Sequence, residues 1–421
     1  MQTEYDLVII GGGLVGASLA CALADTPLSI AVVEQHEFSK LDHASYDDRS
    51  VALSYSTRLL FDSLGLWQSI SPFAEAIQNI HVSEKGSFGS TRLNSSSEDV
   101  SALGYVIENR SLGNVLVERM RAANNVTLIC PASIESLENS AETSSNIIAD
   151  INYQGEKIAL KARLLIAADG VQSRVRDLLD IGVTHKDYQQ AAIICNVTPE
   201  LAHNGVAWER FTDSGPLAFL PLPDFNETGR ASSMTAVNKN LPRCSVVWTV
   251  NSDMLDEIMA LDDESFLMRL QSRFGYRLGQ LLKTGKRSAY PLALLQANKS
   301  VDKNVLLIGN ASHTLHPVAG QGFNLGMRDV GVLAELLLNA VHANQDIADS
   351  GLLEHYANTR TKDYEQIIRF TDNLVHWFSF NLKPVKIARS IGLVLTDRIP
   401  WLKSAIARRA MGFNQRMPIK R

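Results

Sequence analysis

Two glycine-bearing stretches, far apart in the chain, have the residue types to hold an anion on backbone N–H groups. Near the start, GGGLVG places Gly11, Gly13 and Gly16 at GxGxxG spacing. Far downstream, HTLHPVAGQGFNLGMRD (His313–Asp329) sets Gly320, Gln321 and Gly322 ahead of an amphipathic run. Glycine serves where the backbone takes unusual angles or another body comes close. A bend feeding a helix start presents unpaired N–H groups and partial positive charge, which suits electron-rich oxygen. The downstream stretch predicts a helix opening on Asn324, with the N–H groups of Gly322 and Phe323 near its start.

The elements around the first stretch decide what it can bind. Tyr5–Ile10 reads as a buried strand, Leu14–Ala24 as a small-residue helix and Ile30–Glu34 as a second strand. Such a β-α-β opening is expected to be parallel and right-handed. Glu34 follows Gly11 by 23 residues, the place for an acid on a ribose diol. Gly11 then serves the tight turn, Gly13 the approach of a diphosphate, and Gly16 close packing of helix on strand. A ligand-free structural turn is the bland alternative.

Further candidates lie at other strand ends. Asp169-Gly170 closes the apolar run Ala162–Ala168, where open α/β sheets bind ligands, although an Asp there also caps helices. Asn310 follows the apolar run Asn304–Gly309 and can reach a sugar-like chain. Arg49, in Asp47-Asp48-Arg49, could neutralise a diphosphate or form a surface ion pair. Two separated strand–glycine–helix devices suit one long ligand with a diphosphate end and a redox ring, the shape of FAD. No second GxGxxG marks a separate nicotinamide domain. His313 and His316 lack partners for a metal site, and no GxSxG, Walker or HExxH pattern occurs.

Composition bounds the rest. With 421 residues, 45% hydrophobic and 20% charged, the chain has material for one large or two intimate domains. A net charge of −5 is too mild to argue for nucleic acid or an acidic substrate, and no nucleic-acid partner is expected. From Lys383 to Arg421, however, ten Lys/Arg face one acid, Asp397. That basic stretch suits an anionic surface, or is a solvated helical face. Cys21, Cys130, Cys195 and Cys244 are scattered, as expected of free thiols in a reducing compartment. The opening MQTEYDLVII lacks the basic region and cleavage site of a secretory leader. No window reaches the roughly 20 apolar residues of a membrane span. The expected location is cytoplasmic.

The fold class expected is α/β: a Rossmann-like parallel-sheet domain, an antiparallel-sheet domain and a C-terminal helical region. From about Gln189 to Leu294, runs such as AAIICNVT and CSVVWTV separated by Pro, Gly and Asn predict the antiparallel sheet, with Asp263–Arg273 helical. Asn139–Ser145 reads as a hairpin or surface loop. After Asn324 the pattern is helical, with Pro384 and Pro400 as breaks. The domains expected are 1–75 plus 100–182 plus 295–345 for FAD, 76–99 plus 183–294 for substrate, and 346–421 for the helices.

GGGLVG, DDRSVALS (Asp47–Ser54), AADGVQSRVR (Ala167–Arg176) and HPVAGQGFNLGMRD (His316–Asp329) together resemble one family. It is the flavin-dependent aromatic hydroxylases of the p-hydroxybenzoate hydroxylase type, in their ubiquinone-biosynthesis branch. The resemblance spans most of the chain. It implies FAD, with NAD(P)H and O2 as co-substrates, and hydroxylation of a prenylated phenol through a flavin C4a-hydroperoxide. His81–Gly89, Glu209–Leu222 and Phe274–Leu294 resemble the branch members that act on a 2-polyprenyl-6-methoxyphenol.

By position, the resemblance puts Gly11, Gly13 and Gly16 on the diphosphate, Glu34 on the adenosine ribose, and Arg49 and Arg110 on the FAD linker. Asp169 falls at the diphosphate and nicotinamide approach, and Asn310 at the ribityl chain. Gly320, Gln321, Gly322 and Phe323 fall along the flavin ring. Where the wider superfamily has Gly-Asp, this chain has Gly309-Asn310, which keeps an acceptor and loses a charge. A phenol reacts faster as phenolate, so a base is expected; His316, Arg210 and Tyr290 are the candidates. Association with other ubiquinone-biosynthesis enzymes, or peripheral contact with the inner membrane, follows as an expectation. The alternatives are a sister hydroxylase acting at another ring position, another FAD oxidoreductase, and a non-catalytic FAD-binding assembly subunit.

Overall fold

The computed structural model describes residues 2–38, 45, 48–139, 146–225, 241–314, 320–379 and 383–413. Its first layer is the strand–helix–strand opening. Glu4–Ile10 and Ile30–Val33 run parallel, with Leu7 opposite Ile30. Glu156–Ala167 joins parallel to the first strand, and Val305–Leu307 joins parallel beyond it. These strands are apolar throughout because both of their faces are covered. On one face lie Leu14–Ala22, Asn109–Ala122 and Gln321–His342, which bring Leu19, Leu116, Met327 and Val330 against Leu7 and Ile9. The other face is covered by the antiparallel pair Ala132–Asn139 and Ile147–Tyr153, which continues from Glu156–Ala167.

A second, nine-stranded and mostly antiparallel sheet centres on Val183–Pro199, Leu241–Asn251, Gly215–Phe225 and Val206–Thr212. It also takes in the early hairpin Asn79–Glu84 and Ser90–Asn94. Strand alternation sends Leu217, Phe219, Val246 and Trp248 to one face. There Phe266, Leu270 and Phe274 of the Asp263–Phe274 helix close over them. The opposite face looks onto a cavity shared with the first layer.

Element ends differ from the sequence reading in informative ways. The second strand stops at Val33, so Glu34 stands past it and turns its carboxylate to the glycine loop. The downstream helix begins at Gln321, three residues before the expected Asn324. Gly320, at φ 62°, launches it from the left-handed region, which frees Asn324 for another task. Pro384 and Pro400 do fall at breaks: the helices Ser350–Ser379, Lys383–Arg398 and Pro400–Ala410 are separate, and each Pro lies in the first turn of the helix it opens, where a missing N–H costs nothing.

The C-terminal helices are also less of a surface feature than their charge suggests. Arg389 is buried in an ion pair with Glu84. Thr91 Oγ1 donates to the Leu393 carbonyl at 2.8 Å, and the Arg92 N–H to Asp397 Oδ1 at 3.0 Å. The tail is thereby stitched onto the Asn79–Asn94 hairpin. Among the described residues no helix is long and apolar enough to cross a membrane.

Candidate active site where two helix starts meet

The Leu14–Ala22 helix starts at extended Gly13, and the Gln321–His342 helix at Gly320. Neither start has a side-chain cap, so the first N–H groups of both helices remain available. Glycine geometry separates packing from access. A Cβ on Gly16 would run into the Gly11 carbonyl, and one on Gly11 into the Ala168 carbonyl. A Cβ on Gly13 or Gly322 would meet nothing within 4 Å. Val15 seats against both Gly309 and Gly326, which draws the two helices together.

Both starts open on one cavity of about 810 Å³, lined there by Gly13, Leu14, Asn310, Gly320, Gly322 and Phe323. Two polar atoms nearby add to the fit. Asp169 Oδ1 and Asn109 Oδ1 are buried without a partner among the described residues, although buried acceptors are normally satisfied. Uncapped helix starts, open space before Gly13 and Gly322, and unpaired acceptors fit a bound FAD. FAD held at this site would supply the redox chemistry.

Glu34 takes the Gly12 N–H on Oε2 at 2.7 Å and the His36 N–H on Oε1 at 2.9 Å. Its remaining lone pairs can accept from a diol. The Asp169 side chain divides its work: Oδ2 accepts the Val175 N–H at 3.1 Å, at the start of Arg174–Leu178, and leaves Oδ1 unpaired. Arg49 donates to the Tyr290 hydroxyl at 2.8 Å. Arg110 pairs with Asp48 at 2.8 Å and Glu108 at 3.5 Å, and Glu108 also holds buried Arg243 at 2.6 Å. Both arginines are thus held by protein groups, next in sequence to the wall residues Ser50 and Asn109. Gln321 is described by its backbone alone, and His316 lies outside the described residues.

Of the base candidates, Arg210 does not reach the cavity. Tyr290 faces Arg49. Strand alternation puts Arg210 on the sheet face away from the cavity, where burial first and Arg277 second depress its pKa. Its neighbour Glu209 takes the cavity side instead.

Asn324 and Asp329, both inside the His316–Asp329 stretch, organise the site, a role the sequence alone did not assign them. The Asn324 Oδ1 accepts from the Ser54 N–H and Thr57 hydroxyl, both at 2.8 Å. Its Nδ2 donates to the carbonyls of Ala52 at 2.9 Å and Gly320 at 2.7 Å. It therefore clamps the Gly320 bend to the Ser50–Ser54 strand. Asp329 accepts from the Gly309 N–H at 2.9 Å, His313 Nε2 at 2.8 Å, Arg360 Nε at 2.7 Å and Tyr364 at 2.7 Å. His313 is accordingly a buried structural residue.

A parallel sheet whose second helix start shares a cavity with an apolar antiparallel sheet fits an FAD-dependent monooxygenase. A family model described as "FAD binding domain" matches residues 4–371. A ubiquinone hydroxylase, UbiL, of Rhodospirillum rubrum is 36% identical over 97% of this chain and 89% of its own. The 3-demethoxyubiquinol 3-hydroxylase of Escherichia coli is 28% identical over 97% of this chain and 98% of its own. The crystal structure of p-nitrophenol 4-monooxygenase PnpA from Pseudomonas putida superposes with TM-score 0.78 at 19% identity, covering 99% and 100% of the two chains. The chain belongs to the FAD-dependent ubiquinone-biosynthesis hydroxylase family.

Proposed function

We propose that the protein adds one oxygen atom of O2 to the ring of a 2-polyprenyl-6-methoxyphenol, with NAD(P)H as reductant. The observation that carries this reading is the cavity itself. One space of about 810 Å³ joins the flavin-side glycines to walls made by Ile80, Val82, Leu93, Phe211, Leu220 and Ile406. A ring and part of a prenyl tail need such a concave apolar site with few polar groups. Two of the stretches that resemble the methoxyphenol branch supply Val82, Phe211 and Leu220 to that wall.

In this reading the N–H groups of Gly322 and Phe323 stabilise negative charge at the ring end of the cofactor. Asn324 keeps them aimed by holding the Gly320 bend. The apolar walls exclude water from the reacting ring. The test is product analysis with labelled O2 and FAD-reconstituted protein. One labelled atom in the ring product is expected, with NAD(P)H consumed only when phenol is present; peroxide release without incorporation contradicts the reading. A sister hydroxylation at another ring position is the second reading, supported by the full-length match to the 3-demethoxyubiquinol 3-hydroxylase. The prenylphenol that accumulates in a deletion strain separates the two.

The C-terminal helices support peripheral contact with an anionic lipid surface. Ile387, Ile391 and Leu395 recur at helical spacing and are exposed, and Trp401 is 73% exposed, among Lys386, Arg398 and Lys403. Because Leu393, Thr396 and Ile406 line the cavity, truncation of the tail would also remove its wall. Substitution of the exposed residues is the cleaner test. Vesicle co-sedimentation unchanged in an Ile391→Ser/Trp401→Ser variant contradicts membrane contact. Docking to other pathway enzymes through the same surface is the competing outcome.

A further inference from the structure

Glu209, the first residue of the Glu209–Leu222 stretch, lies on the wall of the cavity and has no role assigned above. On the second sheet it stands opposite Ala218 on one neighbouring strand and Val82 on the other. The row continues through Val247 to Ile194 on one side and to Thr91 on the other. All six residues line the cavity. Glu209 is the one carboxylate that the sheet contributes to the described wall. It is half-buried, and the surface it keeps opens on the cavity. No described residue hydrogen-bonds or ion-pairs with it. A carboxylate among apolar neighbours, without a partner, is costly unless it is neutral or a ligand completes it. Burial alone pushes its pKa up to about 7.

The surroundings leave it unopposed. The other charged residues on the cavity wall are Arg328, Asp363 and Arg409. Arg328 is paired with Asp363 at 3.1 Å, and Arg409 comes from the Pro400–Ala410 helix. From the adjacent strands only Val82, Thr91, Ala218 and Val247 face the same row. His81 and Arg210 lie on the far face, where burial first, then Arg277 and Arg92, push His81 down to about 4.

Resting on the function proposed above, we propose that Glu209 is the catalytic residue that takes the proton from the hydroxyl of the phenol bound in this cavity. The phenol O–H bond breaks and its electron pair stays on the ring oxygen. The proton forms a new O–H bond on the Glu209 carboxylate, and no oxidant or reductant is consumed. Electron density released into the ring raises its nucleophilicity at the carbon to be hydroxylated. The proton returns when the product hydroxyl re-forms.

The experiment compares full-length, FAD-reconstituted wild type with Glu209→Gln and Glu209→Asp, using a short-tailed prenylphenol across pH. Glutamine keeps the shape of the side chain and cannot take the proton. Wild-type hydroxylation is expected to rise with pH through about 7. Glu209→Gln is expected to fall about 100-fold at neutral pH, with its rise moved to the phenol's own ionisation near pH 10. Glu209→Asp recovers part of the rate, and FAD and phenol affinities stay within about twofold. A fluorinated phenol already ionised at neutral pH is expected to react equally with wild type and Glu209→Gln, which a packing role would not produce. A wild-type profile flat across this range overturns the proposal without any substitution. So does a Glu209→Gln profile matching wild type, or an equal deficit with the fluorinated phenol. A wild type that hydroxylates no phenol sinks the functional reading as well, whereas an active wild type with an indifferent Glu209→Gln sinks this proposal alone.

Discussion

Asp329 and Glu209 are two carboxylates held away from bulk water with opposite surroundings. Burial pushes the Asp329 carboxyl up, but Arg360 first, then His313 and the Gly309 N–H, outweigh it and bring the pKa down to about 2. Nothing offsets burial at Glu209, and its carboxyl rises to about 7. A buried charge that is fully partnered holds elements together; one left unpartnered on a cavity wall is poised for a ligand. The same chain therefore uses one kind of side chain to lock the Gly309 turn to the Ser350–Ser379 helix and, on the second sheet, to face substrate.

Asp329→Asn should have the largest effect. It leaves Arg360 buried beside a neutral side chain and should cost about 3–5 kcal/mol in urea denaturation. The loss should be full above pH 4 and shrink as pH falls toward 2, since a depressed carboxyl stabilises only while ionised. A neutral Asp329→Asn would break the comparison at its structural end.

The glycine loop offers an independent cut between packing and access. Gly16→Ala should destabilise by up to about 3 kcal/mol, because its Cβ collides with the Gly11 carbonyl. Gly13→Ala should leave unfolding of the FAD-free protein unchanged and weaken FAD binding about tenfold, as read by fluorescence titration. Equal behaviour of the two would refute the division.

At Glu209 the sign is reversed. A raised carboxyl destabilises the fold as pH climbs from its ordinary 4.5 through 7, so Glu209→Gln should equal wild type near pH 4 and exceed it by about 2 kcal/mol at pH 8. A variant less stable than wild type at pH 8 would mean the carboxylate has a partner. Smallest of all, Trp401→Ser should shift unfolding by no more than about 0.5 kcal/mol, the ordinary scale for an exposed site.

The opening β-α-β unit was legible because Gly11, Gly13, Gly16 and Glu34 act within one local segment, with periodicity and turn chemistry agreeing. The antiparallel sheet was legible as apolar runs divided by turns. What sequence could not supply was facing. Arg210 and Glu209 are neighbours on one strand, and the choice between them depends on which face the Asp263–Phe274 helix covers. Asp329 meets Arg360 and Tyr364 across 31 and 35 positions, on a helix that carries no motif. The basic tail looked like a surface because its charge is read locally, whereas Arg389 finds Glu84 across 305 positions. The signal that could have marked Glu209 was present but weak: an acid two positions from each of Ala207 and Phe211, on a strand in the expected substrate sheet.

The most direct measurement is the titration of the Glu209 carboxyl itself. Carboxyl-13C NMR on glutamate-labelled protein, with the resonance assigned by its loss in Glu209→Gln, should give a midpoint near 7 that moves when a prenylphenol binds. A midpoint at the ordinary value of about 4.5, indifferent to phenol, would contradict the account.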